Sequence, residues 1–310
     1  MKAFVLGAGL GTRLRPLTEK RPKPLVPLYG KPLITFALDH LIASGIESFA
    51  VNTHHCPEAY HPVGSSYRGH PLAFRHEPVL LDTGGGIKNV EDLLGDEPFL
   101  VYNGDVLADF PLRPAIDRHL SSGNPATLIL RSSGGPLHVQ CRDGRVCDIR
   151  NMIGHSDAPP FVFTGISILS PEIFRHIPAG EILSIIPVYL SLIRAGLTVG
   201  GTVVDGGLWF DIGTRDAYFG AHDLLRPGGH RLSYLPDDWP HPVQEPAEVS
   251  PSAQVNGVCS IGRSSQIGAG AVLEDCVLWE NATVLPGAHL TRCVVRDGSE
   301  AAGTALGVDF

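Results

Sequence analysis

A glycine-rich turn followed by two cations is the part of this chain best suited to chemistry. The turn reads Leu6-Gly7-Ala8-Gly9-Leu10-Gly11-Thr12 and comes directly after a short apolar run. Glycines let a backbone turn sharply and bring its N–H groups close to a bulky ligand. Arg13 and Lys23 supply the positive charge that a polyphosphate needs. The pattern predicts a nucleoside triphosphate site, with backbone contacts from Gly7, Ala8, Gly9, Gly11 and Thr12.

Two common glycine-rich phosphate loops do not fit this glycine turn (residues 6–12). A Walker loop needs a lysine followed by serine or threonine after its glycines, and neither pair follows here. A dinucleotide-binding fingerprint needs a third glycine where Thr12 stands. For the bare GxG alone, a plain strand-to-helix turn without a ligand is an equal alternative.

The residues after the turn resemble the opening signature of the sugar-1-phosphate nucleotidyltransferase family. That signature reads GxGTRLxPLTxxxPKPLxP, and this chain matches it from Gly9 to Pro27. The resemblance implies that a sugar 1-phosphate attacks the α-phosphorus of a nucleoside triphosphate and expels pyrophosphate. It implies that Arg13 neutralises the pyrophosphate and that Lys23 contacts phosphate near the reacting centre. Such a reaction needs alignment and charge stabilisation rather than a covalent enzyme intermediate.

Two aspartates that follow apolar, strand-like runs are the candidate metal ligands. Asp105 ends the segment Asn103-Gly104-Asp105, and Asp211 follows Trp209-Phe210. Either aspartate alone could be a turn or helix-cap residue. Together they resemble the family's NGD and WxDIGT elements, whose aspartates hold Mg²⁺. Mg²⁺ prefers one or two carboxylates with phosphate oxygens and water. The resemblance thus implies Mg²⁺ as cofactor, with Asn103 beside the nucleotide.

A third segment, from Glu77 to Gly86, corresponds to the loop with which the family reads the nucleobase. Its sequence EPVLLDTGGG makes Glu77, Thr83 and Gly84 the candidates for contacts to the base edge. Many members of the family have glycine where Asp82 stands. The LDTGGGI form resembles most the N-acetylmuramate-1-phosphate uridylyltransferase branch. A glycine-rich turn that opens a helix at Gly86 is compatible with this interpretation.

The sugar-phosphate side matches the family less well. Phe163-Thr164-Gly165-Ile166 resembles the strand start that lines the family's sugar pocket, although a simple strand entry is equally consistent with it. Most members carry Glu-Lys-Pro after a GRV turn, and that lysine contacts the sugar phosphate. Here no lysine follows Gly144-Arg145-Val146. Either Arg150 takes over the cationic role or the sugar phosphate is held differently.

A histidine-rich segment, His54-His55-Cys56, invites a metal interpretation. Its histidines and cysteine do not show the converging spacing of a zinc site. Asn52-Thr53-His54-His55 matches an Asn-x-x-His that related enzymes often have at this strand end. We expect a structural role or a place at the edge of the sugar pocket.

Composition limits the possible partners and compartment. The formal charge of −8 argues against a general nucleic-acid-binding or membrane-surface role. Seven of the 24 basic residues nevertheless lie in the first 31 residues, which suits a small anionic substrate. No signal peptide is expected, because the N-terminal apolar run is only about four residues long before glycine follows. No membrane span is expected, because no apolar run approaches about 18 residues. The six cysteines form no CxxC, so we expect reduced thiols in a cytoplasmic protein.

Residues 1–225 predict an α/β domain with a Rossmann-like, three-layer, mostly parallel sheet. Apolar runs alternate with helical patterns, which indicates βαβ units. Ligands of such sheets bind at the carboxyl ends of the strands. The predicted strands are Ala3–Leu6, Ser48–Asn52, Phe99–Tyr102, Ala126–Leu130, Gly165–Leu169 and Thr198–Val204. The predicted helices are Ile34–Ser44, Gly86–Leu94, Leu112–Ser121 and Ser184–Ala195.

After a proline-rich linker at 226–246, the sequence period changes to six. A hexapeptide period is the signature of a parallel β-helix, and this one resembles the left-handed type, spanning about 247–300. Its phase is expected to slip after Trp279, and residues 301–310 are expected to form a loose tail. The periodic large residues are Val249, Val255, Ile261, Ile267, Leu273 and Trp279.

The β-helix raises two alternative functions. Hexapeptide-repeat acyltransferases resemble longer helices with a catalytic histidine on a protruding loop, but His289 has no such insertion around it. Some relatives of the nucleotidyltransferases are regulatory subunits without activity. They should lack at least one of Arg13, Lys23, Asp105 and Asp211, and all four are present. The LDTGGGI loop favours uridylyl transfer to a muramate-like sugar, whereas the attached hexapeptide coils resemble those of mannose-1-phosphate guanylyltransferase-like enzymes. We expect an enzyme that binds a nucleoside triphosphate, with UTP or GTP as donor, and a sugar 1-phosphate, and that forms a homo-oligomer through its β-helix.

Overall fold

The chain of this computed structural model forms two compact units, and the structure describes residues 1–154 and 157–310. The first unit comprises Met1–Leu10, Pro22–Pro24 and Ile34–Asp211, and the second comprises Gly11–Arg21, Leu25–Leu33 and Ile212–Phe310. The second unit therefore takes in residues that the predicted boundary at 225 assigns to the catalytic domain. The division into functional segments 1–225, 226–246 and 247–300 stays a prediction.

The α/β part contains fourteen strands and six helices among the described residues. The strands are β1 (Lys2–Leu6), β2 (Pro27–Leu28), β3 (Lys31–Pro32), β4 (Ser48–Thr53), β5 (Ser66–Tyr67), β6 (His70–His76), β7 (Phe99–Asn103), β8 (Val106–Ala108), β9 (Ala126–Arg131), β10 (Val139–Arg142), β11 (Arg145–Ile149), β12 (Pro160–Leu169), β13 (Val199–Val203) and β14 (Trp209–Asp211). The helices are α1 (Leu33–Ala43), α2 (Asp82–Asn89), α3 (Glu91–Leu94), α4 (Arg113–Ser122), α5 (Ile185–Arg194) and α6 (Arg215–Leu225).

Ten strands of the first unit form one mixed sheet in the order β10-β11-β13-β9-β12-β7-β1-β4-β6-β5. Four of the nine neighbouring pairs are parallel, β7–β1, β1–β4, β4–β6 and β9–β13, so the sheet is mixed where a mostly parallel one was predicted. β12 runs antiparallel to both β7 and β9. β10 and β11 form a hairpin, because Asp143 and Gly144 both adopt positive φ (52° and 74°) and close a two-residue turn. The predicted α/β architecture is confirmed, with more antiparallel pairing than expected.

The core of the first unit is built around β1. Ala3, Phe4 and Val5 are fully buried, since a parallel strand at the centre of such a sheet is covered on both faces. Helices α2, α3 and α5 pack against strands of this sheet. The predicted helix Gly86–Leu94 differs from the structure. It begins at Asp82, four residues earlier, and its last turn is a separate helix, α3.

Two buried histidines make the stability of the first unit depend on pH. The ring of His40 lies 2.7 Å from the carbonyl oxygen of Phe110, and that of His119 lies 2.9 Å from the Thr127 hydroxyl. Burial lowers the pKa of each histidine from 6.5 to about 4. The unfolded chain therefore binds more protons than the folded chain between these values. Their contribution to stability is complete above pH 6.5 and is lost as the pH falls toward 4.

We expect the free energy of unfolding to fall by about 1.4 kcal/mol per pH unit for each of these histidines below pH 6.5. Urea unfolding at several pH values between 7 and 5 measures this slope. His119→Gln should reduce the slope by about 1.4 kcal/mol per pH unit, the contribution of one histidine. His176→Gln, at an exposed position, should leave the slope unchanged. Equal slopes in all three proteins would contradict the assignment.

Residues 248–306 of the second unit form the predicted parallel β-helix. Its strands are β15 (Glu248–Val249), β16 (Gln254–Asn256), β17 (Ser260–Ile261), β18 (Gln266–Ile267), β19 (Val272–Glu274), β20 (Val277–Leu278), β21 (Thr283–Val284), β22 (His289–Thr291), β23 (Val294–Val295), β24 (Glu300–Ala301) and β25 (Thr304–Leu306). They stack into three parallel sheets, β15-β18-β21-β24, β16-β19-β22-β25 and β17-β20-β23. Glu248 pairs with Gln266, and Gln266 with Thr283, so one coil takes 18 residues and the next takes 17.

This shortened coil moves the phase slip to a position before Trp279, not after it as predicted. Leu273 and Leu278 both lie in the coil core although they are five positions apart and not six. Trp279 is buried outside that core, and its indole N–H donates to the Tyr218 hydroxyl at 3.1 Å. The expected loose tail is also wrong. β25 pairs with β22, and the Phe310 amide donates to the Val294 carbonyl oxygen.

The corrected phase makes a prediction about stability. Leu278→Ala should lower the free energy of unfolding by about 2–5 kcal/mol, because it leaves a cavity in the coil core. Val255→Ala should cost much less, because Val255 belongs to the first coil and is 40% exposed. Thermal unfolding of both variants beside the wild type makes the comparison. An effect at Val255 as large as that at Leu278 would contradict the placement of Leu278 in the coil core.

The second unit also contains the loop 11–21, and several side chains tie this loop to the coil. The Arg296 guanidinium donates through Nη1 to the Pro16 carbonyl oxygen at 3.0 Å and through Nε to the Phe310 carbonyl oxygen at 2.7 Å. Arg21 pairs with Asp297 at 3.3 Å and lies 5.0 Å above the ring of Trp279. The β-helix therefore holds loop 11–21, which carries part of the opening signature, in place.

In the described part of the chain, no helix combines the length and the apolar character that crossing a bilayer requires. The expected cytoplasmic location stays a prediction.

Candidate active site

The first part of the glycine turn is held by the strand next to β1. The amides of Gly7 and Ala8 donate to the Asn52 side-chain oxygen at 2.7 and 3.3 Å, and the Tyr60 hydroxyl donates to the Gly7 carbonyl oxygen at 2.9 Å. A Cβ on Gly7 would lie 2.7 Å from the Asn52 carbonyl oxygen, so only glycine fits there. The N–H of Gly7 thus serves the protein itself, and Gly9 is open for close approach by a ligand.

A cavity of about 360 Å³ lies beside this turn, within the first unit. Most of its lining residues come from four places: the glycine turn, the segment Lys23-Pro24, the loop 77–86 with which the family reads the nucleobase, and the end of β7. Of the predicted site residues it includes Ala8, Gly9, Lys23, Thr83, Asn103 and Asp105. The other lining residues are Leu6, Pro24, Asn52, Leu80, Asp82 and Ile182. Four separate predictions from the sequence therefore converge on one cavity.

The two predicted metal ligands converge on Lys23. β14 pairs antiparallel with β8, which places Asp211 opposite Val106, the residue after Asp105. The Lys23 ammonium makes a short ion pair with Asp105 Oδ2, and it lies 3.9 Å from Asp211 Oδ1. The Lys23 side chain is only 9% exposed. A buried charge needs compensation, which these two carboxylates provide. The pair of aspartates therefore already surrounds one positive charge at the rim of the cavity.

Three glycines of loop 77–86 lie inside helix α2, and each is so close to a neighbour that a Cβ would not fit. A Cβ on Gly84 would lie 2.8 Å from the Leu183 carbonyl oxygen, and one on Gly85 would overlap the Glu181 carbonyl oxygen. A Cβ on Gly86 would lie 2.9 Å from the Asn52 amide nitrogen. The Thr83 hydroxyl accepts from the Ile185 amide at the start of α5. The glycine run thus seats α2 tightly against its surroundings.

Asp82 begins this helix in an unusual conformation. Its φ is +59°, in the left-handed region that favours glycine, and its carboxylate accepts from the Thr83 amide at 2.6 Å. This conformation accounts physically for the glycine that the family often carries there. Asp82 is one of the residues that line the cavity, so an acidic residue forms part of its wall at this position.

Glu77 is buried and is not among the residues that line the cavity. Its carboxylate accepts from the Asn52 side-chain amide at 2.8 Å and from the Leu81 amide at 3.1 Å. The prediction of a base-edge contact through Glu77 therefore finds no support in the geometry. Asn52, for whose segment the sequence predicted a structural role or a place at the edge of the sugar pocket, lines the cavity instead.

Of the three residues predicted to bind the sugar phosphate, Gly165 borders the cavity wall, whereas Thr164 and Arg150 do not. Gly165 has φ of +78°, and a Cβ there would lie 2.5 Å from the Asn103 amide nitrogen, so Gly165 allows Asn103 its place in the cavity wall. Thr164 is fully buried, and its hydroxyl donates to the Ile129 carbonyl oxygen at 2.8 Å. Arg150 lies in the exposed turn after β11 and is not among the lining residues. Direct sugar-phosphate contacts from Thr164 and Arg150 find no support in this geometry.

Gly11, Thr12 and Arg13 belong to the second unit. Gly11 adopts φ of +60° and precedes a single 3₁₀ turn, Thr12–Leu14. The Arg13 guanidinium packs against Gly213, where a Cβ would lie 3.0 Å from its Nη2 atom. The roles of these three residues in nucleotide binding stay predictions.

Metal binding by side chains alone is not indicated in residues 1–154 and 157–310, which contain no group of three or more histidine, cysteine, aspartate or glutamate side chains placed to hold an ion. A Mg²⁺ site of two carboxylates, completed by phosphate oxygens and water, does not require such a group.

Comparisons with known proteins agree with this fold and site. Residues 2–136 match the family model described as nucleotidyl transferase. The chain is 33% identical to the mannose-1-phosphate guanylyltransferase of Mycobacterium tuberculosis, over 94% of this chain and 83% of that protein. It is 34% identical to the N-acetylmuramate alpha-1-phosphate uridylyltransferase of Neisseria meningitidis, over 69% of this chain and 94% of that protein.

A solved structure supports the fold as well. The UDP-glucose pyrophosphorylase from Acinetobacter baumanii superposes with a TM-score of 0.62 at 19% identity, over 73% of this chain and 95% of that chain. Fold and site together define a nucleotide-binding transferase of mixed α/β architecture. The chain belongs to the nucleotidyl transferase family, as its opening signature indicated.

Proposed function

We propose that this protein transfers a nucleotidyl group from a nucleoside triphosphate to a sugar 1-phosphate and releases pyrophosphate. The observation that carries this proposal is the convergence of Asp105 and Asp211 on Lys23, beside a cavity that the glycine turn also lines. The named relatives carry out reactions of this class. UTP or GTP is the proposed donor, because one relative is a guanylyltransferase and another a uridylyltransferase.

The residues of the chain have to align two anions that repel each other. Lys23 lies at the cavity with its ammonium between two carboxylates, so it can attract a phosphate oxygen while the aspartates hold the ammonium in place. The open backbone at Gly9 lets the triphosphate approach closely. Arg13 is proposed to neutralise the leaving pyrophosphate, on the strength of the opening signature.

The carboxylate pair also fits the proposed cofactor, Mg²⁺. Asp105 and Asp211 are hard oxygen donors that already compensate one positive charge, which is the donor set that Mg²⁺ takes beside phosphates. When bound there, Mg²⁺ would neutralise the triphosphate and stabilise negative charge on the α-phosphoryl group. Lys23 and the glycine turn would keep the triphosphate oriented.

A substrate panel tests the proposal. ATP, CTP, GTP, UTP and dTTP are each combined with glucose, mannose and N-acetylmuramate 1-phosphates in buffer with MgCl₂, and pyrophosphate release is measured. One or a few pairs should give Mg²⁺-dependent turnover that excess EDTA abolishes. If no pair exceeds the protein-free background, the proposal fails.

Nothing in the described coil favours acyl transfer as a second function. His289 lies within β22, in register with Val272 and Thr304, and not on an inserted loop. A homo-oligomer formed through the coil stays a proposal. It is supported by the partial exposure of Val249 and Val255 on the first coil, at 37% and 40%. Light scattering after size-exclusion chromatography measures the oligomeric state.

A further inference from the structure

We infer that Asn52 and Glu77 form a buried positioning pair that fixes the glycine turn and helix α2 relative to each other around the cavity. The inference deepens the proposed function, on which it rests. Neither residue was expected from the sequence to have this role. The pair is argued from hydrogen-bond direction, burial and close packing.

Asn52 accepts hydrogen bonds from the glycine turn and donates one to Glu77. The amides of Gly7 and Ala8 donate to the Asn52 side-chain oxygen, and the Asn52 side-chain amide donates to Glu77 Oε1 at 2.8 Å. The other carboxylate oxygen, Oε2, accepts from the Leu81 amide at 3.1 Å. The pair therefore links the turn after β1 to the loop that leads into α2.

Burial removes the alternatives to this arrangement. Asn52 is 2% exposed and Glu77 is fully buried, so neither side chain can exchange its partners for bulk water. Both oxygens of the Glu77 carboxyl group accept from N–H donors. Glu77 thus obliges Asn52 to present its amide nitrogen to the carboxylate, and this orientation aims the Asn52 oxygen at the glycine turn.

Close packing transmits the position of the pair to α2. A Cβ on Gly86 would lie 2.9 Å from the Asn52 amide nitrogen and 3.1 Å from Glu77 Oε1, which leaves no space between the helix and the pair. Asp82 and Thr83, at the start of the same helix, line the cavity together with Asn52. A change in the pair must therefore displace both the phosphate side and the nucleobase side of the cavity.

Each single exchange between amide and carboxylate creates a conflict that the double exchange removes. In Glu77→Gln, the new amide must direct its NH₂ group at either the Asn52 amide or the Leu81 N–H, and both are donors. In Asn52→Asp, two carboxylates face each other. In the double variant Asn52→Asp/Glu77→Gln, the new carboxylate accepts from Gly7 and Ala8, and the new amide donates to it while accepting from Leu81. Every hydrogen bond returns, with one of them reversed.

The test compares wild type, both single variants and the double variant, using the preferred substrate pair from the panel. Each single variant should raise KM for the nucleoside triphosphate and lower kcat/KM by about 10- to 100-fold, which corresponds to the loss of one or two buried hydrogen bonds. The double variant should return to within about fivefold of wild type. Glu97→Gln, at an exposed position, serves as the matched control and should behave as wild type.

Thermal unfolding of all four proteins separates positioning from stability. Kinetics are measured at a temperature where each remains folded, so that a purely structural role would leave KM unchanged. The inference is overturned if folded single variants keep wild-type kcat/KM, or if the double variant is no better than the weaker single variant. If both single variants fail to fold, a folded and active double variant supports it and an unfolded one overturns it.

The two proposals fail in different ways. Absence of turnover in the wild type removes the proposed function. In that case, calorimetric titration with UTP and GTP still compares the four proteins, and the double variant should regain whatever nucleotide affinity the single variants lose. Equal affinities in all four would overturn the inference by itself.

Discussion

Asp105→Asn is expected to lower kcat by about 100- to 1,000-fold, the range found when one preorganised electrostatic group is removed from an active site. Asparagine keeps the size of the side chain and its place before β8, but it removes the negative charge that faces Lys23. The Lys23 ammonium then retains only Asp211 of the two carboxylates, at 3.9 Å. Steady-state pyrophosphate release with the preferred substrate pair measures the change.

Asp117→Asn is the matched control for this prediction. Asp117 also pairs with a cation, Arg113 at 2.9 Å, but both side chains are exposed on α4. Exposed pairs contribute little, so this variant should keep wild-type kcat and unfolding temperature. Turnover of Asp105→Asn within threefold of wild type would show that the carboxylate pair is not part of the catalytic machinery.

Gly85→Ala is expected to lower the free energy of unfolding by about 1–3 kcal/mol, because the added methyl group would overlap a backbone oxygen. That oxygen belongs to Glu181, and it cannot rotate away as a side chain could. Helix α2 would have to shift, and Asp82 and Thr83 in the cavity wall would shift with it. kcat/KM should therefore fall together with stability.

Gly206→Ala provides the comparison for Gly85→Ala. A Cβ on Gly206 meets nothing within 4 Å, and its backbone is not in the left-handed region. Urea unfolding should place this variant close to wild type. If Gly85→Ala were as stable as Gly206→Ala, the seating of α2 against residues 181–184 would be looser than its contacts indicate.

The sequence was most informative where a local pattern has a single structural outcome. The apolar run before the glycine turn predicted β1, and the family signature predicted that Lys23 and Asp105 would lie at one site. A buried parallel strand must end near its neighbours' carboxyl ends, so residues placed there have little freedom. The pairing of β14 with β8, which brings Asp211 to Lys23, involves only three residues on each strand and carries no comparable pattern.

Other features depended on tertiary contacts that no local pattern reveals. Glycines are poor helix formers, yet Gly84 and Gly85 lie in α2, at positions where the chain at 181–184 passes too close for a Cβ. The coil phase shifted because one turn lost a residue between Leu273 and Leu278. The hairpin at Asp143-Gly144, by contrast, had a readable signal, since Asp-Gly is a preferred two-residue hairpin turn.

The support of loop 11–21 by the coil gives the protein an intrinsic optical probe. Trp279 lies beneath the Arg21 guanidinium and donates its indole N–H to Tyr218, so its emission depends on the position of that cation. The chain has three tryptophans. In a variant with Trp209→Phe and Trp239→Phe, Trp279 is the one remaining tryptophan. A change in its fluorescence during a nucleotide titration would report movement of loop 11–21, which carries Arg13, without any attached label.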